Sequence, residues 1–172
     1  NNLDFVLVTS TEPYHLIDDL NQSPFNVGQI IDLEDFTLEQ VIDLNQRHGG
    51  IFSNTEEVKL MQLLNGHPYL VRKALYLIAS EQITTAELFD SPISSKGAFG
   101  DHLHRLLSLI HDKPELKQAL LEVIHNNTCE NQQRFWQLQG AGLVRSDDKK
   151  VVPRCQLYSE YFREHLHDLY KY

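Results

Sequence analysis

The residues best suited to bind a ligand lie in the short stretch Gly66-His67-Pro68, with Arg72 one helical turn further on. Glycine tolerates the positive φ at which a helix ends, and proline loses no hydrogen bond in the first turn of the next helix. The stretch therefore predicts a sharp corner between two apolar helices, which would hold a ring and a backbone edge beside a flat ligand. Because residues 68 and 72 share a helix face, the planar guanidinium of Arg72 could bind phosphate oxygens there. The alternatives are an ordinary helix–helix turn and a solvated arginine.

A second set of polar side chains, Thr9, Ser10 and Thr11, lies at the end of the largely apolar run Leu3–Thr9. Such a run is typical of a strand that is covered on both faces of a parallel sheet, and Val27–Leu33 predicts a shorter edge strand. Ligands of open α/β sheets bind outside the carboxyl ends of the strands, so the three hydroxyls are candidate ligand contacts. The alternative is that they cap the turn that follows.

Catalytic and metal chemistry find little support in the sequence. The chain contains no G-x-x-x-x-G-K-[ST] segment and no apolar strand that ends in paired acids, so we predict no phosphate cradle, no magnesium-holding acid and no catalytic residue in it. His102 and His104 are two residues apart on a predicted helix and therefore diverge, whereas zinc-binding pairs favour a spacing of four. We predict no metal site. Cys129 and Cys155 form neither a C-x-x-C pair nor a disulfide framework.

The elements that would position these residues are helices from Phe36 onward, where the apolar period changes from 2 to 3.6. Thr37, with Gln40 three residues later, predicts a capping box, and Asn54 or Thr55 is expected to cap the second helix. The side chains expected on the inner faces of the first three helices are Leu38, Val41, Ile42, Leu44, Val58, Leu60, Met61, Leu64, Tyr69, Leu70, Ala74, Leu75 and Ile78.

The second half of the chain predicts three helices, a β-hairpin and a last helix, at residues 102–111, 114–125, 130–139, 143–153 and 156–170. This is the element order of a winged-helix domain, and the Ser-, Pro- and Gly-rich stretch 89–100 is the best linker candidate before it. The predicted fold class is mostly α with a little β. Phe135, Trp136 and Leu138 are expected on the inner face of the third of these helices.

That third helix also raises the question of DNA binding. Its segment Glu130–Gln137 carries Asn, Gln and Arg side chains, which are able to read base edges. Few lysines or arginines flank the segment, and Asp147-Asp148 lie at the tip of the predicted hairpin. A solvated polar helix face is therefore the favoured interpretation, with direct DNA binding as a minor alternative.

Composition and charge set broad limits on the function. The chain has 172 residues, 41% of them hydrophobic and 23% charged, which is ordinary for a soluble globular protein. Its net charge of -9 is concentrated in residues 1–94, which carry 4 Lys+Arg and 14 Asp+Glu. This acidity argues against nucleic-acid binding by the first half, because phosphate contacts need clustered cations. No apolar run approaches the roughly 20 residues of a membrane span, so we expect a cytoplasmic protein with reduced thiols.

Several motifs together resemble one family. Gly66-His67-Pro68 before an apolar helix resembles the G-x-P motif of STAND-type, AAA-like P-loop ATPases, which are common in bacterial multidomain signalling proteins. The other segments that fit this family are Ser10–Pro13, Asn21–Asn26, Phe36–Val41 and Pro153–Tyr158. The resemblance implies the last strands of an α/β P-loop core at residues 1–34, a helical lid subdomain at 35–92 and a winged-helix domain at 93–172.

The resemblance also implies a nucleotide site for ATP or ADP with Mg²⁺ in the complete protein. Pro68, beside His67, would pack on the adenine, and Arg72 would be the second-sensor arginine that reaches a β- or γ-phosphate. Thr9, Ser10 and Thr11 stand where the family places its first sensor, although many relatives have an arginine there.

A departure from the family's pattern concerns the segment Arg154-Cys155-Gln156-Leu157, which falls where many STAND proteins have Met-His-Asp-Leu. The histidine of that motif contacts the β-phosphate of ADP, and Cys155 replaces it. A neutral thiol supplies neither the same hydrogen bond nor a charge, but Arg154, one residue earlier, could substitute.

The function implied is the C-terminal part of a nucleotide-dependent STAND/AAA-like signalling switch that does not hydrolyse ATP alone. Its expected partners are an N-terminal P-loop half or its own upstream domains, and the winged helix would be an intramolecular brace or an oligomer contact. The alternative is a stand-alone winged-helix adaptor or transcription regulator that binds DNA or protein.

Overall fold

The computed structural model describes residues 34–166, which form eight helices and one small antiparallel sheet. In chain order the elements are α1 (Leu38–Arg47), α2 (Asn54–Leu64), α3 (Pro68–Ala79), α4 (Thr85–Asp90), α5 (Gly100–Ile110), α6 (Pro114–Asn126), α7 (Gln132–Gly140), β1 (Val144–Asp147), β2 (Lys150–Pro153) and α8 (Gln156–His165). The prediction of a mostly α fold with a little β is confirmed. The strands expected at residues 3–9 and 27–33 lie outside the described residues, and so do Thr9, Ser10 and Thr11.

Three of the described helices begin with a capping box. In this motif the hydroxyl of the cap residue accepts a hydrogen bond from the backbone N–H three residues later, and the carboxylate or amide side chain of that later residue accepts one from the backbone N–H of the cap. Thr37 and Gln40 do this at α1, as predicted. At α2 the cap is Ser53, whose N–H donates to Glu56 Oε2 at 2.8 Å, so the expectation of Asn54 or Thr55 was wrong. Asn54 is the first helical residue instead. Glu57, the glutamate three positions after Asn54, is buried and accepts a hydrogen bond from the Asn45 amide, whereas Glu56 closes the box with Ser53.

The corner between α2 and α3 is built as the sequence predicts, with one addition. Asn65 ends α2 with a φ of 50°, and Gly66 follows with a φ of 72°. The Gly66 carbonyl accepts a hydrogen bond of 2.8 Å from the backbone N–H of Phe36, and a Cβ on Gly66 would overlap the carbonyl oxygen of Phe36. Pro68 is then the first residue of α3. Glycine is therefore required here both by backbone conformation and by space.

One continuous core runs through the described helices. Its largest fully buried side chains come from α2, α3, α5, α6 and α8 alike and include Leu60, Leu70, Leu75, Leu103, Leu120, Tyr158 and Phe162. The irregular connection between α4 and α5 is itself packed, since Phe99 is fully buried and a Cβ on Gly100 would overlap the Ser95 carbonyl oxygen. Residues 35–166 belong to one compact unit that begins at Asp35. The domain boundaries after residues 34 and 92 remain predictions.

Four side chains that the apolar pattern assigns to inner faces are exposed instead: Leu38, Val58, Tyr69 and Trp136. On α2 the buried positions are 57, 60, 63 and 64, so that Val58 lies one residue off this stripe. Glu57 takes the buried place because the Asn45 amide donates to its Oε1 at 2.7 Å. A hydrogen-bonded carboxylate can be buried where an unpaired one cannot, and an apolar periodicity does not reveal that exchange.

The predicted hairpin is confirmed, and its turn consists of two residues. Val144 pairs with Pro153 and Asp147 with Lys150, so only Asp148 and Lys149 form the turn, and Asp148 has a positive φ of 51°. Within residues 34–166 no helix is both long and apolar enough to span a bilayer.

Candidate functional site

The α2–α3 corner meets α5 and the start of α8 through three aromatic side chains, His67, His102 and Tyr158, which we call the imidazole cluster. His67 precedes Pro68 at the start of α3, and its side chain is 9% exposed. Its ring centroid lies 6.2 Å from that of His102 on α5 and 6.0 Å from that of Tyr158 on α8. The cluster therefore joins elements from the predicted lid to elements from the predicted winged helix.

Within the cluster, His102 Nε2 and the Tyr158 hydroxyl are hydrogen-bonded at 2.7 Å, and the two rings are stacked with an interplanar angle of 29°. Burial, and then the nearby cations Lys73, Arg105 and Arg154, lower the pKa of His102 to about 4. Burial likewise raises the pKa of the Tyr158 hydroxyl. Both groups are therefore neutral at pH 7, and the bond between them is one between uncharged partners.

His67 is neutral for a similar reason. Burial and then the nearby charge of Arg154 lower its pKa to about 4, and this effect exceeds the opposite influence of Asp35. Its Nδ1 atom is buried and has no hydrogen-bond partner among residues 34–166. An unpaired buried nitrogen costs on the order of 1–3 kcal/mol, so this atom is a place where a further polar group would be bound favourably.

The full charges that shift the pKa of His67 belong to Arg154 and Asp35. Arg154 Nη2 donates to Asp35 Oδ1 at 2.8 Å, and about a quarter of each side chain is exposed. The backbone of Arg154 is fixed by a 3.0 Å hydrogen bond from its N–H to the Leu143 carbonyl. The next residue, Cys155, is buried, and burial raises the pKa of its thiol to about 12. The thiol is neutral, so Arg154 is the charged group of this segment.

The structure thus brings together some of the residues predicted from the sequence and separates others. His67 and Arg154, which come from motifs far apart in the chain, lie around the same cluster, and Pro68 adjoins it. Arg72 lies on the exposed side of α3 and forms no ion pair within residues 34–166. Thr9, Ser10 and Thr11 fall on residues that the structure does not describe.

Sequence reasoning missed His102, Tyr158 and Asp35 as parts of the site. The sequence suggests His102 only as a possible metal ligand beside His104, and its hydrogen-bond partner Tyr158 is more than fifty residues away on another helix. Asp35 directly precedes the matching segment Phe36–Val41, but nothing in its neighbourhood points to Arg154. Only the tertiary packing brings these side chains together.

The helix that was weighed for DNA binding is partly occupied by internal contacts. Arg134 on α7 forms an ion pair with Glu115 on α6, and its Nη1 donates to Gln137 Oε1 at 3.0 Å. Trp136 is half-exposed, and Asp147 and Asp148 stand beside Lys149 at the hairpin. The one cation of α7 is thus already paired, which lowers its capacity to bind phosphate.

Comparison with known proteins gives a family match over most of the chain. The family described as AAA-like domain matches residues 1–164. An uncharacterised WD repeat-containing protein, slr0143, of Synechocystis sp. is 35% identical over 86 residues, which cover 46% of this chain and 7% of the relative. The chain therefore spans only a small part of that relative's length. No solved structure matches the chain.

Proposed function

The chain belongs to the AAA-like domain family, and we propose that it acts as the lid and winged-helix part of a nucleotide-dependent STAND-type switch. The switch would be part of a larger cytoplasmic signalling protein, as the small share of the WD-repeat relative that the chain matches suggests. In this proposal α1–α4 form the lid. The helices α5–α7, the hairpin and α8 form the winged helix, whose element order they reproduce.

The observation that carries the proposal is the meeting of His67 and Arg154 around the imidazole cluster. The first belongs to the G-x-P corner and the second to the segment that replaces Met-His-Asp-Leu, and both motifs contact nucleotide in the resembled family. Two motifs that bind one ligand must lie close together in the fold. Two hydrogen bonds support such closeness, since Arg154 donates to Asp35 and the next residue, Phe36, donates its N–H to the Gly66 carbonyl beside His67. The influence of Arg154 on the pKa of His67 agrees with this.

Each residue has a distinct role in the proposed site. Pro68 would pack on the adenine of ATP or ADP, His67 would line the same corner, and Arg72 would reach a phosphate from the exposed side of α3. Arg154 would bind the β-phosphate. Thr9, Ser10 and Thr11 would act as the first sensor, and Mg²⁺ and the phosphate cradle would come from a P-loop half or other upstream domains.

The ion pair between Arg154 and Asp35 gives the switch a defined change of partner. A guanidinium that is about a quarter exposed can exchange a carboxylate for a phosphate. The carboxylate is planar and the phosphate tetrahedral, but the oxygens of both accept hydrogen bonds from guanidinium N–H groups. Asp35 accepts a hydrogen bond from Arg154 in the structure, and in the proposed switch the phosphate of ADP would take the place of Asp35. Because the imidazole cluster ties α8 to α5 and to the corner, this exchange would change how the winged helix is held.

The test compares two variants that break the same ion pair. Both Arg154→Gln and Asp35→Asn remove it, but only Arg154→Gln removes the proposed phosphate contact. We expect Arg154→Gln to weaken ADP binding by the full-length protein about 10- to 100-fold, the equivalent of one charge-assisted hydrogen bond. Asp35→Asn should increase ADP affinity, because it removes the competing anion.

Arg163→Gln is the matched control, since Arg163 lies on the same α8 and, among residues 34–166, its guanidinium forms a hydrogen bond only with the Ser159 hydroxyl, at 3.4 Å. ADP affinity is measured by calorimetric titration. Equal effects of Arg154→Gln and Asp35→Asn would mean that the pair is purely structural. A folded wild-type protein that binds neither ADP nor ATP would refute the proposed function as a whole.

The second candidate function is a winged-helix adaptor or transcription regulator. The pairing of Arg134 with Glu115 makes DNA binding the less favoured of the two. A gel shift with duplex DNA separates the candidates, because DNA binding by cation–phosphate contacts falls steeply as salt is raised. Self-association through the winged helix is part of the proposed switch and would appear as a larger mass in light scattering.

A further inference from the structure

Helix α3 presents an outer face with an unusual composition: Tyr69, Arg72, Lys73 and Tyr76. The buried positions of this helix are 70, 71, 74 and 75. At 100° per residue, Tyr69 and Tyr76 both lie about 170° from the centre of this buried stripe. Tyr69 is 51% exposed and Tyr76 is 60% exposed, so two aromatic rings face solvent with two cations between them.

The charge of this face is opposite to that of the surrounding sequence. Residues 1–94 carry 14 acidic and 4 basic side chains, and two of those four cations are Arg72 and Lys73. Helix α3 itself has no carboxylate. An anionic ligand that approaches this half of the protein would therefore be attracted to α3 more than to its neighbours.

The two tyrosines differ in how they are held. The Tyr69 ring lies 5.1 Å from the His102 ring, centroid to centroid, and His102 is in turn fixed by its hydrogen bond to Tyr158. No aromatic ring is paired with Tyr76 within residues 34–166. Tyr69 is thus a supported ring with an open side, directly after Pro68, whereas Tyr76 lies about 10 Å further along the helix. A ring that is fixed before binding loses little entropy when a flat ligand stacks on it.

We propose that Tyr69 stacks on the base of the bound nucleotide. This inference rests on the proposed function and adds to it a residue that the apolar pattern assigns to the core. The base would lie on the open side of the Tyr69 ring, next to Pro68. The phosphates would extend toward Arg72.

The experiment measures the affinity of the full-length protein for ADP by calorimetric titration in four forms: wild type, Tyr69→Ala, Tyr69→Phe and Tyr76→Ala. Loss of base stacking on an aromatic ring is expected to weaken ADP binding by Tyr69→Ala about 5- to 150-fold. Tyr69→Phe keeps the ring and should bind within about twofold of wild type. Tyr76→Ala removes an equally exposed tyrosine from the same face and should bind like wild type.

The thermal midpoint of each ligand-free variant is measured alongside, and because both tyrosines are half-exposed or more, we expect it to stay close to that of wild type. ADP affinity of Tyr69→Ala equal to that of wild type would overturn this inference and leave the proposed function standing. Equal losses in Tyr69→Ala and Tyr76→Ala would also overturn it, because they would show a general property of the outer face. Absence of ADP binding by wild type would refute the proposed function first.

Discussion

The two histidines of the imidazole cluster make the stability of the protein depend on pH in a calculable way. Burial lowers the pKa of His67 from 6.5 to about 4 in the folded chain, whereas in the unfolded chain the imidazole titrates at its ordinary value. Between these two values the unfolded state binds more protons than the folded state, so the free energy of unfolding rises with pH. The effect is absent above about pH 7, where both states are neutral, and it grows as the pH falls through 6.5 toward 4.

The size of the effect follows from these two pKa values. For His67 the linkage relation gives a loss of about 1.4 kcal/mol at pH 5.5 and about 2.5 kcal/mol at pH 4.5, relative to pH 8. His102 has the same direction of shift and the same lowered pKa of about 4. Because its imidazole is more exposed than that of His67, we take about half of the corresponding energy for it. Together the two residues should cost the folded chain about 2 kcal/mol at pH 5.5.

The assay is urea denaturation of the chain at pH 8 and at pH 5.5, followed by circular dichroism. With wild type we expect the free energy of unfolding to fall by about 2 kcal/mol between these pH values. His67→Leu removes the largest contribution and should reduce that difference by more than half. His104→Asn is the matched control, because His104 is an exposed histidine on the same helix as His102 and should leave the difference unchanged. A wild-type difference near zero, or one that His67→Leu does not alter, would refute the assignment of neutral buried imidazoles.

Two further predictions concern the corner and the helix caps. Gly66→Ala should lower the free energy of unfolding by roughly 3 kcal/mol or more, because a Cβ at this positive φ would overlap the Phe36 carbonyl oxygen. Gly49→Ala should lower it by only about 1 kcal/mol, because Gly49 has a positive φ but open space around it. Equal costs of the two substitutions in urea denaturation would contradict this prediction. Ser53→Ala should lower the free energy of unfolding by about 1 kcal/mol, because it removes the capping box with Glu56. Asn54→Ala should change it by less than about 0.5 kcal/mol. A larger loss in Asn54→Ala than in Ser53→Ala would identify Asn54 as the cap.

The local features of the fold could be predicted from the sequence because they depend on neighbouring residues. Thr37 and Gln40 are three positions apart, and their capping box forms as predicted. The positive φ of Gly66 and the position of Pro68 at the start of α3 follow from the chemistry of those two residues. The hairpin was also predicted, although its two-residue turn required knowledge of the register between Asp147 and Lys150.

The sequence pattern predicts burial wrongly where a tertiary contact decides which of two neighbouring side chains is buried. Val58 was assigned to the core by its apolar side chain, but Asn45 supplies the hydrogen bond that lets Glu57 take the buried position. Tyr69 was assigned to the core for the same reason, whereas the buried stripe of α3 is complete without it. In the same way, His102 shows no sign in the sequence of its bond to Tyr158, since the two residues come together only when α5 packs on α8. Periodicity predicts which elements form but not which side chains meet across them.

The electrostatic character of the site limits how the proposed switch could work. At neutral pH the histidines of the imidazole cluster carry no charge, and Cys155 is a buried neutral thiol. Arg154, the charged residue next to Cys155, is already paired with Asp35. Arg154 can bind a phosphate only if it leaves Asp35 or is shared with it. The proposed switch thus requires ADP binding and the Arg154–Asp35 pair to compete, and for this reason the opposite effects of Arg154→Gln and Asp35→Asn on ADP affinity are its most direct test.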